Sequence, residues 1–317
     1  MKLSTALLLL FTLVAFAANS ILCRLALISG SIGPVQFTAV RLGSGIVMLL
    51  PVFLFHNRTF RLSQSQPSDE PELFRLRLTN IGPAIALFSY AVFFSLAYVQ
   101  LPVAVGALIL FPSVQITMLG GAIIKGESVT SLDWTGIAIS LAGLLYLMSP
   151  GLSAPPFLGT VLMIFSGVSW GVYSLLGKNQ PRPILSTARN FLFCLPGVVI
   201  LGLITMVTAL PNGGFQISPK GILLGIMSGA IASAMGYVLW YLTLRRITTT
   251  AASVSQLAVP ILAASGGIVF LNESLSLRLM IASALIVGGI VLTIVNRKVP
   301  ESSGDRSRTK SPSEVTT

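Results

Sequence analysis

The chain reads as an all-α integral membrane protein of ten transmembrane helices, arranged as two inverted five-helix repeats. Three features predict this. Hydrophobic residues make up 54% of the sequence and charged residues only 9%, with a mean hydropathy of +0.88, whereas soluble domains carry about 25% charge. Apolar runs of about the 20 residues needed to cross a bilayer recur along the whole length. Finally, one punctuation appears twice, 146 residues apart: Gly120-Gly121, five residues, Glu127-Ser128, and Gly266-Gly267, five residues, Glu273-Ser274. Each unit closes one helix-length run and leads into another, as expected of a hydrophobic module written twice.

The runs fall at about 4–23, 34–55, 80–99, 103–124, 132–149, 157–177, 187–209, 221–243, 250–271 and 277–296. Continuous apolar runs fit helices rather than the alternating strands of a barrel, and only these two architectures satisfy the backbone in lipid. The repeat extends beyond its punctuation. Phe16 to Arg24 aligns with Trp170 to Lys178, Arg41 with Arg189, Pro112 with Pro260 and Gly143 with Gly289. The halves are therefore 1–150 and 151–296, divided near Ser149-Pro150-Gly151, with 297–317 a disordered cytoplasmic tail rich in Ser, Thr and charge. Five helices per half is an odd number, so the second half runs inverted, which places a substrate site near the midplane between the repeats.

Orientation follows from the cations. With the N-terminus inside, sixteen of the twenty Lys and Arg residues fall on the cytoplasmic side; Arg24, Lys220 and Arg278 fall outside and Arg41 lies within the membrane. This positive-inside bias predicts cytoplasmic termini in a cell membrane, and it accounts for the net charge of +11 without a nucleic-acid partner. Residues 56–79 form the longest polar connection and read as a cytoplasmic linker. The first segment resembles a signal peptide, but its match to 157–177 argues that it is retained. Cys23 and Cys194 have neither CxxC spacing nor metal-ligand company, and no metal or other cofactor is expected.

These residues together resemble the EamA-type branch of the drug/metabolite transporter superfamily. The resemblance covers about residues 4–296 and rests on Asn19-Ser20, Arg41, Pro112, Pro260, Glu127, Glu273, Trp134 with Gly136 and Gly143, and Trp170 with Tyr173. The usual Trp-Gly of the first helix is replaced by Phe16-Ala17. The resemblance implies a secondary carrier with each half an EamA-like repeat, helices one to four and six to nine around a central cavity, and helices five and ten at the periphery. It also implies small polar metabolites as cargo, often moved outward.

Arg41 is the most informative single residue. A charge at that depth is costly unless it faces a watery cavity or a partner. It can hold a substrate carboxylate or phosphate through its planar guanidinium, or snorkel to the outer interface. Asn19, Gln36, Gln115 and Gln256 are polar groups that need partners within the bundle, and Tyr90, Trp170, Tyr173 and Tyr237 can stack on a planar substrate. These eight residues and Arg41 form the candidate binding set. Pro112 and Pro260 read as mid-helix kinks and candidate hinges, and Glu127 and Glu273 as carboxylates stabilising the N-terminal ends of helices five and ten.

No acid lies in the middle of a predicted helix, which weakens the case for a proton relay. Neither a P-loop nor HExxH is present, so a nucleotide-driven pump and a zinc enzyme find no motif here. The expected activity is transport of an amino acid or related metabolite by alternating access, without catalysis. The rival reading is a membrane scaffold or regulatory subunit. Expected partners are the small-molecule substrate and the bilayer, with a homodimer left open.

Overall fold

A computed structural model describes residues 3–63, 81–124, 131–148, 154–178, 180–209, 217–247, 249–256, 258–274 and 276–295. Among these, every regular element is helical. The elements are α1 (Leu3–Ile28), α2 (Pro34–Ser63), α3 (Ile81–Tyr98), α4 (Val103–Ile124), α5 (Ser131–Met148), α6 (Phe157–Gly177), α7 (Pro183–Phe193) and α8 (Leu195–Ala209). They continue as α9 (Pro219–Ile226), a π-helical segment Met227–Met235, α10 (Gly236–Leu244), α11 (Thr249–Ser255), α12 (Ala258–Leu271) and α13 (Leu277–Val295).

Among the described residues, six spans are long and apolar enough to cross a membrane: Leu3–Ile28, Ile81–Tyr98, Val103–Ile124, Phe157–Gly177, Pro183–Val207 and Pro219–Leu244. Trp134–Leu147, Ala258–Leu271 and Leu277–Gly289 are shorter apolar helices. Large aliphatic side chains such as Val47, Leu145, Val207 and Val269 are exposed on the outside of the bundle, which suits a lipid solvent and no other.

Four predicted segments need correction. The second helix continues to Ser63, through the first part of the stretch expected to be a polar linker. The seventh is broken at Cys194, next to Pro196, whose missing N–H removes a helical hydrogen bond. The eighth contains a π-helical stretch in the middle. The ninth is broken around Gln256, so Pro260 stands in the first turn of α12 rather than in mid-helix. Proline is well tolerated there because first-turn N–H groups have no intrahelical acceptor. Pro112, by contrast, lies inside the unbroken α4. The two prolines match in sequence but not in local structure.

The repeats meet through their own equivalent residues. Ser140 Oγ on α5 donates to the Ile286 carbonyl on α13 at 3.1 Å, across an interval of 146 residues. Gly289 faces the Gly136 carbonyl and Ser140, while Gly143 faces Leu285 and Ile286, so each side of the contact repeats the other. Arg278, earlier on α13, donates to the carbonyl of Tyr146, later on α5, at 3.0 and 3.2 Å. Residue numbers rise along one helix as they fall along the other, so α5 and α13 are antiparallel. An isologous contact of this kind is what a two-fold axis generates. Two more contacts join the halves: Phe16 with its equivalent Trp170, ring centroids 5.1 Å apart, and Tyr90 with Tyr237, whose hydroxyls are 3.3 Å apart.

Candidate functional site: a buried arginine between the repeats

The side chain of Arg41 comes off α2 into the centre of the bundle and is only 1% exposed. Snorkelling to the interface is therefore not its role in this structure. α2 reaches the centre because glycines admit it: a Cβ on Gly229 would stand 2.0 Å from the Arg41 carbonyl oxygen, and one on Gly225 would stand 2.8 Å from Val40. Small residues of this spacing are the usual means of close helix approach in lipid.

The guanidinium is tied at one edge. Its Nε donates to Ser233 Oγ at 2.9 Å, and its Nη2 donates to the hydroxyls of Tyr237 at 2.7 Å and Tyr90 at 3.2 Å. Asn19 Nδ2 also donates to the Tyr90 hydroxyl, at 3.2 Å, while Asn19 Oδ1 accepts from Ser228 and Ser233. The rings of Tyr90 and Phe94 lie 5.1 and 5.0 Å from the guanidinium carbon and supply cation–π attraction. The end nitrogen Nη1 is buried without a hydrogen-bond partner. Among the described residues no carboxylate pairs with Arg41. An uncompensated buried charge costs several kcal/mol, roughly 2.5–3.5 kcal/mol even on scales that allow for local water.

Aromatic side chains surround this charge. Trp170 packs on Tyr90, Tyr237 and Phe16 with centroids 4.9, 4.7 and 5.1 Å away. Its indole N–H donates to Gln256 Oε1 at 2.9 Å, and Gln256 Nε2 reaches Met118 Sδ. The break between α11 and α12 puts Gln256 where that bond is made. Tyr173 stands one layer out, between Trp170 and Tyr241. Phe16, Ser20, Tyr90, Phe94, Leu110, Phe111 and Trp170 enclose a cavity of about 10 Å³, room for about one water.

The structure thus brings together Arg41, Asn19, Tyr90, Trp170, Tyr173, Tyr237 and Gln256. Gln36 stands apart, folded over Gly33 at the start of α2, and Gln115 is half-buried on α4. Glu127 lies outside the described residues. Ser228 and Ser233 were not singled out in the sequence, because serines five residues apart do not share a face of an α-helix.

The second acid site differs from expectation in a definite way. Glu273 does not serve the start of α13, where Ser276 Oγ accepts from Leu279 N–H at 3.1 Å. Its two carboxylate oxygens accept from the Val103 N–H at 3.0 and 2.9 Å, which caps α4. Arg24 lies 3.9 Å from Glu273 and donates to the carbonyls of Tyr98 and Val99 at the end of α3, at 2.8 and 2.9 Å. The second copy of the punctuation gains a reason here. Asn272 adopts φ +53° and turns the chain back, so that the Glu273 N–H donates to the Gly267 carbonyl at 3.1 Å. A Cβ on Gly267 would come within 2.7 Å of the carboxylate, so glycine leaves room for its return. A cavity of about 130 Å³ lies beside it, bounded by Ala104, Val105, Ala264, Ile268, Ser274 and Ser276 among others.

A helical membrane protein whose two repeats meet around a buried, partly unpaired cation has the architecture of a small-solute carrier. The family model for the EamA-like transporter family matches residues 3–149 and 157–295, once for each half. The chain belongs to that family. An uncharacterized Pseudomonas aeruginosa protein, PA1977, is 39% identical over 293 residues, covering 92% of this chain and 95% of that one. The threonine/homoserine exporter RhtA of Escherichia coli K12 is 25% identical over 276 residues, 84% of each chain. An uncharacterized transporter of Archaeoglobus fulgidus is 26% identical over 231 residues, 72% of this chain and 79% of its own. A crystal structure with 21% identity superposes with a TM-score of 0.62 over 93% of this chain and 99% of the other, a likeness of fold.

Proposed function

We propose that this protein is a secondary transporter that exports an amino acid or related carboxylate from the cell by alternating access. Its chain crosses the cell membrane ten times as inverted repeats, with both termini cytoplasmic. The observation that carries the reading is the Nη1 of Arg41, a fully buried cationic donor without a partner, between the repeats. A ligand carboxylate supplies the missing acceptor and the missing charge together, and charge-assisted hydrogen bonds of this kind are about twice as strong as neutral ones. The aromatic walls accommodate the rest of a small amphipathic solute. The exporter relative RhtA supports amino-acid cargo and outward direction.

In this mechanism the ligand binds when one end of the bundle opens, replaces self-contacts of the aromatic cluster, and leaves when the other end opens. Transport requires that its binding energy differ between those states. The Arg24–Glu273 pair and the α3–α4 corner close the end assigned to the outside, so their separation is the outward-opening step.

The test is counterflow in proteoliposomes with labelled L-threonine, L-homoserine, L-leucine and uridine. The reading expects saturable exchange of at least one amino acid, competed by the free acid and not by its amide. Exchange of uridine alone, or competition by the amide equal to that by the acid, contradicts a carboxylate site. A folded protein that moves none of the four is the behaviour of a scaffold.

A further inference from the structure

We propose that Ser233 and Ser228, brought onto one face by the π-helical segment Met227–Met235, are positioning residues that fix the Arg41 guanidinium for its ligand. The inference rests on the carboxylate reading of Arg41 and goes beyond it by naming what aims that group.

The hydrogen bonds close a ring. Arg41 Nε donates to Ser233 Oγ at 2.9 Å, and Ser233 donates to Asn19 Oδ1 at 3.4 Å. Asn19 Nδ2 donates to the Tyr90 hydroxyl at 3.2 Å, and Arg41 Nη2 donates to the same oxygen at 3.2 Å. Ser228 donates to Asn19 Oδ1 as well, which fixes the amide's orientation. The bonds made by Arg41 itself use its Nε–Nη2 edge, so the ring orients the guanidinium while leaving Nη1 as the group that remains for a ligand.

Ordinary helix geometry does not build this ring. Residues five apart on an α-helix point about 140° away from each other, whereas the i→i+5 bonding of a π-helix stacks them. The Gly236 N–H donating to the Ile231 carbonyl is one such bond. The segment also packs directly on the residue that it aims, since Gly229 meets the Arg41 carbonyl with no room for a Cβ. π-Helical stretches inside α-helices are frequent at functional sites; here the stretch has a specific consequence, two serine hydroxyls on one amide oxygen.

The experiment is counterflow of labelled L-threonine and L-leucine in proteoliposomes, read as KM and maximal rate. Ser233→Ala is expected to raise KM about tenfold, the loss of one hydrogen bond to a charged group, with the maximal rate within about twofold. Ser233→Thr, which restores a hydroxyl, returns KM to near the wild-type value, and Ser228→Ala raises it about threefold. Because Ser233 acts through Arg41, adding Ser233→Ala to Arg41→Gln changes KM no further. Wild-type KM in Ser233→Ala and Ser228→Ala beside a defective Arg41→Gln overturns the positioning role and leaves the carboxylate site standing. Additive effects in the double variant, or a fall in maximal rate alone, overturn it too. Wild-type KM in Arg41→Gln, or no exchange of either probe by the wild type, overturns both readings. If Ser233→Ala does not fold, Ser228→Ala with Ser233→Thr decides the question.

Discussion

The carboxylate of Glu273 lies on the backbone N–H of Val103, its two oxygens at 3.0 and 2.9 Å, and joins chain segments 170 residues apart. The bond satisfies an N-terminal donor of α4 and places negative charge at the positive end of its dipole. With Arg24 on the carbonyls that end α3, one acid and one base hold both sides of the α3–α4 corner. Tyr98, Leu101 and Val103 of the corner are also fully buried, so a gate here parts apolar contacts together with these two polar ones.

Glu273→Gln is accordingly expected to favour the outward-open state. Ala104 is buried beside the Glu273 cavity, and both native cysteines are buried. A cysteine at Ala104 should react several-fold faster with a membrane-impermeant maleimide, added outside intact cells, when Glu273→Gln is also present. Equal labelling rates in the two backgrounds contradict a gate at this corner.

The meeting of α5 with α13 makes a sharper stability prediction. A Cβ on Gly289 would stand 2.4 Å from the Gly136 carbonyl, whereas one on its neighbour Gly288 would meet nothing within 4 Å. Gly289→Ala should therefore destabilise the protein by about 1–3 kcal/mol, the usual cost of overpacking. Gly288→Ala should be neutral or slightly stabilising, because alanine is the better helix former. Thermal unfolding of the two variants in the same detergent compares them directly.

The indole of Trp170 and the amide of Gln256 form a buried pair that can be tested by a cycle. Trp170→Phe leaves Gln256 Oε1 without its donor, and an unsatisfied buried acceptor costs about 1–3 kcal/mol. Gln256→Leu added to Trp170→Phe should recover part of that loss. Losses that simply add would show that the bond at 2.9 Å contributes little.

Much of this was legible in the sequence, for physical reasons. Hydropathy sets where helices lie, and the Gly-Gly-x5-Glu-Ser punctuation disclosed the repeat; in its second copy the returning carboxylate of Glu273 leaves no room for a side chain at Gly267. Arg41 was legible because a charge in an apolar run demands a partner, and the aromatic residues because few side chains of that size fit a small bundle. The helix breaks were less so: hydropathy is blind to hydrogen-bond register, and it passes unchanged across the break at Cys194, the π-helical segment and the break at Gln256. Ser228 and Ser233 were hidden for the same reason, since their common face exists only in π-helical register. Glu273 stands at a helix end as its sequence suggests, but the helix that it caps was hidden because its partner, Val103, is close only in space.

The most direct measurement of the central claim is amino-acid counterflow by Arg41→Gln beside the wild type, in liposomes of matched protein content. The account predicts that the substitution, which removes the charge, raises KM for the transported acid by ten- to a hundredfold in protein whose fold is checked by its thermal unfolding, the value of about 1.5–3 kcal/mol for a charged hydrogen bond. An unchanged KM would contradict the claim, since the buried guanidinium would then have no part in holding the substrate.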